Sequence, residues 1–152
     1  MPRKKVNEFM SKNLISCTRT TVLEDVARLM VHNDVGAIPV VDSILSLRPV
    51  GIITDRDIVK RSVARGINPL NELAGDYMSV GVYTILESAT IQEALRLMEQ
   101  KQIRRLVAID FDAKCSGVLA QADIALNSTD GKIAKLLRHV SAQNIQVREK
   151  IA

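Results

Sequence analysis

The sequence predicts an α+β fold, an α/β mix built from two β-α-β-β-α repeats, and three observations predict it. First, a shift of 68 residues lays Val6–Asp42 over Ala74–Asp110 without a gap. Glu8-Phe9-Met10-Ser11 falls on Asp76-Tyr77-Met78-Ser79, and Arg28-Leu29-Met30 on Arg96-Leu97-Met98. Self-similarity at such a period marks a repeated structural unit. Second, each copy carries apolar residues at i, i+3, i+4 and i+7, the spacing of one buried helical stripe. Third, each copy then carries two short apolar runs of strand length.

Taken in order, a lead-in (Leu14-Ile15 and, in the second copy, Val82-Tyr83) opens each repeat. The first helix of each copy buries Leu23, Val26, Ala27 and Met30, matched by Ile91, Ala94, Leu95 and Met98. Thr90-x-x-Glu93 reads as a capping box, and Thr21-x-x-Glu24 reads the same way. Asn33-Asp34 and Lys101-Gln102 close these helices. The strand pairs are Ile38–Val41 with Val50–Ile53, and Leu106–Ile109 with Val118–Ala120, joined by turns at Ser43–Arg48 and Phe111–Cys115. Helices over Arg56–Arg65 and Ala122–Asn127 end the repeats. Gly66 is a helix stop and Pro69 a restart in the linker.

The repeats are expected at 6–66 and 74–127, with a helical extension over 128–152 whose stripe is Ile133, Leu136, Leu137 and Val140. A half of this size buries little surface alone. The two halves are therefore expected to pack sheet to sheet around one aliphatic core, with pseudo-two-fold symmetry.

Composition narrows the function. Apolar residues make up 47% of the 152, enough for a core, and aromatics only 3%, so that core is aliphatic. There is no run of 18 apolar residues, hence no expected transmembrane helix. Cys17 and Cys115 lack metal-ligand spacing and read as reduced thiols, which points to a cytoplasmic location. His32 and His139 lack ligand neighbours, so no metal site is expected. The net charge of +4 suits anionic small molecules. It does not by itself indicate nucleic acid, and no stacking aromatics sit among the basic residues. No catalytic constellation or Walker loop is present, so an enzyme is not expected.

The stretch Gly51-Ile52-Ile53-Thr54-Asp55-Arg56-Asp57 is the richest in chemistry. It reads as a buried strand running into a helix whose start is written by Thr54 and Asp57. A helix start offers backbone N–H groups and partial positive charge to a phosphate. A carboxylate there can accept hydrogen bonds from sugar hydroxyls. Thr54 and Asp57 equally suit plain helix capping, and the two readings stand side by side. In the second copy, Gly117-Val118-Leu119 meets Gly51-Ile52-Ile53, and Asp123-Ile124 meets Asp57-Ile58. Its turn, Ala120-Gln121-Ala122-Asp123, keeps the aspartate and loses the threonine.

With Ile38-Pro39-Val40-Val41-Asp42 ahead of Gly51-x-x-Thr54-x-x-Asp57, and a tandem copy of the whole, residues 6–127 resemble the cystathionine-β-synthase (CBS) domain pair, or Bateman module, in a stand-alone form. The resemblance implies a non-enzymatic regulatory module. It would bind AMP, ADP, ATP or S-adenosylmethionine between its repeats, need no resident cofactor, form a homodimeric disc and signal to an unidentified protein partner. It implies a first site of Ile53, Thr54, Asp55 and Asp57 with Tyr83, Thr84, Ile103, Arg104 and Arg105. In that site Asp57 would take the ribose, at about 1.5–3 kcal/mol for a charged acceptor. Ile53, Tyr83 and Ile103 would hold the adenine, and an arginine the phosphate. A second, weaker site would comprise Ile15, Ser16, Val35, Gly36, Ala37, Ile38, Pro39, Gln121 and Asp123. The alternatives are a constitutive dimerisation scaffold with empty clefts and, on charge alone, a nucleic-acid-binding protein.

Overall fold

A computed structural model describes residues 3–11, 13–128, 131, 133–135 and 137–139. The chain forms two compact units, each with one three-stranded sheet. The first comprises residues 13–83 and 111–115, and the second the described residues of 1–12, 84–110 and 116–152.

In the first unit, β1 (Cys17–Thr18) leads to α1 (Leu23–Asn33), β2 (Ala37–Val41), β3 (Pro49–Thr54) and α2 (Asp55–Arg61). The short helix α3 (Ala74–Tyr77) follows the linker. β2 lies parallel to β1 and antiparallel to β3, with Ile38 opposite Ile53. The helical stripe is as expected: Leu23, Val26 and Met30 are buried with Ile38, Val40, Ile53 and Ile58 in one aliphatic cluster.

The second unit repeats this order with β4 (Thr84–Leu86), α4 (Ile91–Lys101), β5 (Arg105–Ile109), β6 (Cys115–Ala120) and α5 (Gln121–Asn127). Ile91, Ala94, Leu95 and Met98 are buried with Leu106, Ala108, Leu119 and Ile124. The β5–β6 connection belongs to the first unit, where the Cys115 N–H donates to the Leu47 carbonyl at 2.8 Å.

Each core is completed by the first residues of the other repeat, ahead of its lead-in. Val6 and Phe9 are buried in the second unit's cluster, whereas Ala74, Tyr77 and Met78 are buried in the first unit's. These are counterpart positions under the 68-residue shift. The exchange explains both repeat glycines. A Cβ on Gly51 would stand 2.5 Å from Met78 Sδ and 3.0 Å from the Ser79 carbonyl, and one on Gly117 would stand 2.8 Å from the Ser11 carbonyl. Only glycine lets the borrowed segment lie this close to the strand.

Several local expectations are corrected. The opening strands fall at Cys17–Thr18 and Thr84–Leu86, beyond Leu14-Ile15 and Val82-Tyr83. Thr21 does not cap α1; its hydroxyl accepts from the Thr18 N–H at 3.0 Å in the preceding turn. The first donor of α1, the Leu23 N–H, goes to the Glu72 carbonyl instead. α2 stops at Arg61, ahead of a separate 3-10 turn at Val63–Arg65. Between them Ser62 is fully buried, its hydroxyl donating to the Ile67 carbonyl at 2.9 Å. Thr90 and Glu93 form the expected capping box. Asp34 and Gln102 close α1 and α4 in the left-handed conformation.

Of the C-terminal stripe, Ile133 is buried in the second unit's core and Leu137 packs against it, both in helical conformation. Leu136 and Val140 lie outside the described residues.

Candidate functional site

The β3–α2 turn is built by a reciprocal pair. Thr54 Oγ1 accepts from the Asp57 N–H at 3.1 Å, and Asp57 Oδ2 accepts from the Thr54 N–H at 2.9 Å. The other first-turn donors are engaged as well. The Asp55 N–H goes to the Gly36 carbonyl at 3.0 Å, and the Arg56 N–H to Asp55 Oδ1 at 2.7 Å. The backbone donors expected to face a phosphate are thus engaged within the protein. The capping role of Thr54 and Asp57 is realised in full.

Capping does not exhaust Asp57. A carboxylate offers about four acceptor positions. One Asp57 oxygen serves the Thr54 N–H, and the other lies 3.6 Å from Arg61 Nε. Its side chain is 16% exposed, enough for a further donor to reach it.

The second turn keeps half of this arrangement. Asp123 Oδ2 accepts from the Ala120 N–H at 3.1 Å, but Ala120 has no oxygen to return to the Asp123 N–H. The Gln121 N–H bonds the Arg104 carbonyl at 2.9 Å, the counterpart of Asp55 to Gly36. Gln121 Nε2 also donates to the Leu137 carbonyl at 3.3 Å, so this side chain is tied to the C-terminal segment.

The residues expected for the first site divide between the units. Ile53, Thr54, Asp55, Asp57 and Tyr83 belong to the first; Thr84, Ile103, Arg104 and Arg105 belong to the second. Ile53 is fully buried against Ile38 and Ile58, so its side chain belongs to the core. Strand alternation sends Ile53 inward and leaves Ile52 and Thr54 on the other face. Tyr83, Arg104 and Arg105 are exposed, and Ile103 is half-buried against the second core. Thr84 pairs with Val107 across β4 and β5.

Of the second set, Ile15, Ser16, Val35, Gly36, Ala37, Ile38 and Pro39 lie in the first unit, and Gln121 and Asp123 in the second. Ile38 is fully buried and Ala37 nearly so, which makes both structural. Val35 and Gly36 line a shallow depression of about 320 Å³ with Met30, Val31, Asp34 and Asp55. One surface feature of the first unit therefore joins residues assigned to two different sites.

Arg61 was not singled out by the sequence, yet it makes the longest-range side-chain contacts at the first turn. Its Nη1 donates to the Tyr77 and Met78 carbonyls at 3.0 and 3.1 Å, and Nη2 to Ser79 Oγ at 3.4 Å. The available signal was its place four residues after Asp57, one helical turn on. Among the described residues, no group of three or more His, Cys, Asp or Glu side chains could hold a metal ion. No described helix is long and apolar enough to cross a membrane.

Two α+β repeats, each ending on a strand-to-helix turn closed by an aspartate, define a tandem small-domain module. The family model for the CBS domain matches residues 6–64 and 74–129, and the chain belongs to that family as a tandem pair. An uncharacterised protein of Methanopyrus kandleri is 34% identical over 119 residues, 78% of this chain; the chain spans 60% of that relative's length. Hypoxic response protein 1 of Mycobacterium tuberculosis is 32% identical over 133 residues, 88% of this chain and 91% of that one. The crystal structure of Hypoxic Response Protein I, with two coordinated zinc ions, matches with a TM-score of 0.71 at 31% identity, covering 82% of this chain and 99% of that one. Two more distant structures share the fold. CBSX2 in complex with AMP has a TM-score of 0.65 at 24% identity, covering 81% and 94%. The CBS pair of MJ0100 with 5-methylthioadenosine and S-adenosyl-L-methionine has a TM-score of 0.72 at 22% identity, covering 82% and 95%.

Proposed function

We propose that this CBS pair is a regulatory module, not a catalyst, that binds an adenosine-containing ligand, with AMP, ADP or ATP foremost. The observation that carries the reading is the Thr54–Asp57 turn: complete in one repeat only, with an aspartate that caps its helix and keeps acceptor capacity on a partly exposed side chain. In this reading Asp57 accepts the ribose hydroxyls and the Thr54 hydroxyl donates to the ligand. Tyr83, Thr84 and Ile103 contribute to the base, and Arg104 or Arg105 pairs with phosphate as a charged fork. Because the first-turn N–H groups are engaged, the arginines carry the phosphate preference. Asp123 with Ile15, Ser16, Val35, Gly36 and Gln121 forms the weaker site, suited to an adenosine end of low charge. The CBS pairs carrying AMP or S-adenosylmethionine motivate the choice of ligands.

The module acts in the cytoplasm as a homodimer and passes ligand state to a protein partner. Ligand can do so only by binding one arrangement better than another. The test is a thermal-shift and calorimetric screen with AMP, ADP, ATP, S-adenosylmethionine and NAD. A binder raises the melting temperature in a concentration-dependent way. Asp57→Ala abolishes most of that shift and Asp123→Ala little. Equal losses overturn the asymmetry.

A second reading, a ligand-free scaffold, is favoured by the complete engagement of the first-turn donors. No response to any adenosine compound at millimolar concentration selects it.

A further inference from the structure

The Arg61 guanidinium joins two separate parts of the first unit. It bonds the Tyr77 and Met78 carbonyls and Ser79 Oγ on one side, and lies 3.6 Å from Asp57 Oδ1 on the other. The segment it holds is also seated on β3. Ser79 and Ile52 exchange both backbone bonds, at 2.9 and 3.1 Å, and Met78 lies over Gly51. This segment runs on toward Tyr83 and β4.

Repeat two is built otherwise. The counterpart of Arg61 is Asn127, whose side-chain amide donates along its own helix to the Asp123 carbonyl at 2.8 Å. The counterpart segment, Phe9–Ser11, is seated by the Ser11 N–H on the Val118 carbonyl at 3.3 Å. Among the described residues, Asp123 therefore caps its helix without an arginine between it and a borrowed segment.

We propose that Arg61 is a positioning residue through which the charge on Asp57 sets the hold on Tyr77–Ser79, the opening segment of the second repeat that runs on to β4. The carboxylate orients the guanidinium; the guanidinium, so oriented, gathers three oxygens of the segment. Neutralising Asp57, or drawing its Oδ1 into hydrogen bonds with a ligand, loosens that grip. The ligand clause rests on the nucleotide reading above; the link from Asp57 through Arg61 to Ser79 does not. Among the described residues only the first repeat is wired in this way, so the two turns differ in what they control.

Native-state hydrogen exchange on the full chain tests the link at the Ser79 and Ile52 amides. Asp57→Asn is expected to speed their exchange about tenfold, the order of one charge-assisted hydrogen bond. Asp123→Asn leaves the Ser11 amide unchanged. In an Arg61→Ala background Asp57→Asn has no further effect, whereas Arg61→Lys, which keeps the charge but not the fork, retains part of it. A merely structural arginine would give additive effects in this cycle, and additivity, or silence of Asp57→Asn at Ser79, overturns the proposal. With saturating AMP, Ser79 exchange rises in the wild type and not in Arg61→Ala, although calorimetry still records binding. Absence of AMP binding to the wild type would defeat the nucleotide reading, while the cycle without ligand still decides the link.

Discussion

Thr54 and Asp57 cap each other, each side chain accepting the other's backbone N–H, whereas at the counterpart turn Asp123 caps Ala120 with nothing returned. The pair thus contains a natural comparison of a whole and a half capping box. Thr54→Ala is expected to cost about 1 kcal/mol of stability, and Ala120→Thr to recover roughly 0.5–1 kcal/mol by supplying the missing acceptor. Urea unfolding of the two variants measures both. A destabilising Ala120→Thr would mean that the second turn cannot seat a hydroxyl.

The two repeat glycines should differ in tolerance. A methyl at Gly51 meets first the end of the flexible Met78 side chain, while one at Gly117 meets first the fixed carbonyl of Ser11. Both alanine variants are expected to lose about 1–3 kcal/mol, the usual cost of overpacking, with Gly117→Ala the larger loss. The ranking of denaturation midpoints checks this.

Burial pushes the Cys17 thiol up to about 11 from 9.0. Its neutral form is favoured in the folded state, so the contribution to stability is whole below pH 9 and is lost as the pH rises toward 11. In the native protein at pH 8, Cys17 and the equally buried Cys115 should resist a thiol reagent such as DTNB until the protein unfolds. Rapid native labelling at pH 8 would contradict it. A melting temperature that falls less between pH 9 and 11 in Cys17→Ala than in the wild type would confirm the assignment.

If Arg104 and Arg105 carry the phosphate preference, replacing both with alanine should weaken AMP binding about tenfold or more and leave adenosine binding nearly unchanged. Calorimetry with the two ligands separates these outcomes. Equal loss for both would assign the arginines to the base or to folding.

Much of this molecule was legible in its residues. The helical stripes, the strand pairs and the tandem period follow from side-chain burial, which sequence periodicity reports directly. Thr90–Glu93 formed its box, yet Thr21–Glu24 did not, because a turn three residues earlier competes for the same hydroxyl. Such competition is invisible to a spacing rule. Ile53 was expected against a ligand from the family resemblance, but the strand period of two sends neighbours to opposite faces, and the Ile53 side chain lies inward. Arg61 is legible only in part: its place four residues after Asp57 is a spacing signal, but its Tyr77 and Met78 partners are backbone carbonyls, which carry no signature in a sequence. The exchange of first residues was hidden for a similar reason: the repeats look self-contained on paper, and only the buried Val6, Phe9, Tyr77 and Met78 show which sheet each segment completes.

That exchange sets a timetable for the growing chain. Residues 13–83 supply nearly all of the first unit, so it can close soon after Tyr83 is made. Val6 and Phe9 must wait for a sheet encoded roughly 80 to 110 residues later, a delay of several seconds or more at about 5–20 residues per second. During that interval Val6 and Phe9 have no sheet to cover them. The Val6–Phe9 segment is thus open to capture by chaperones or by a neighbouring chain until the second sheet has formed.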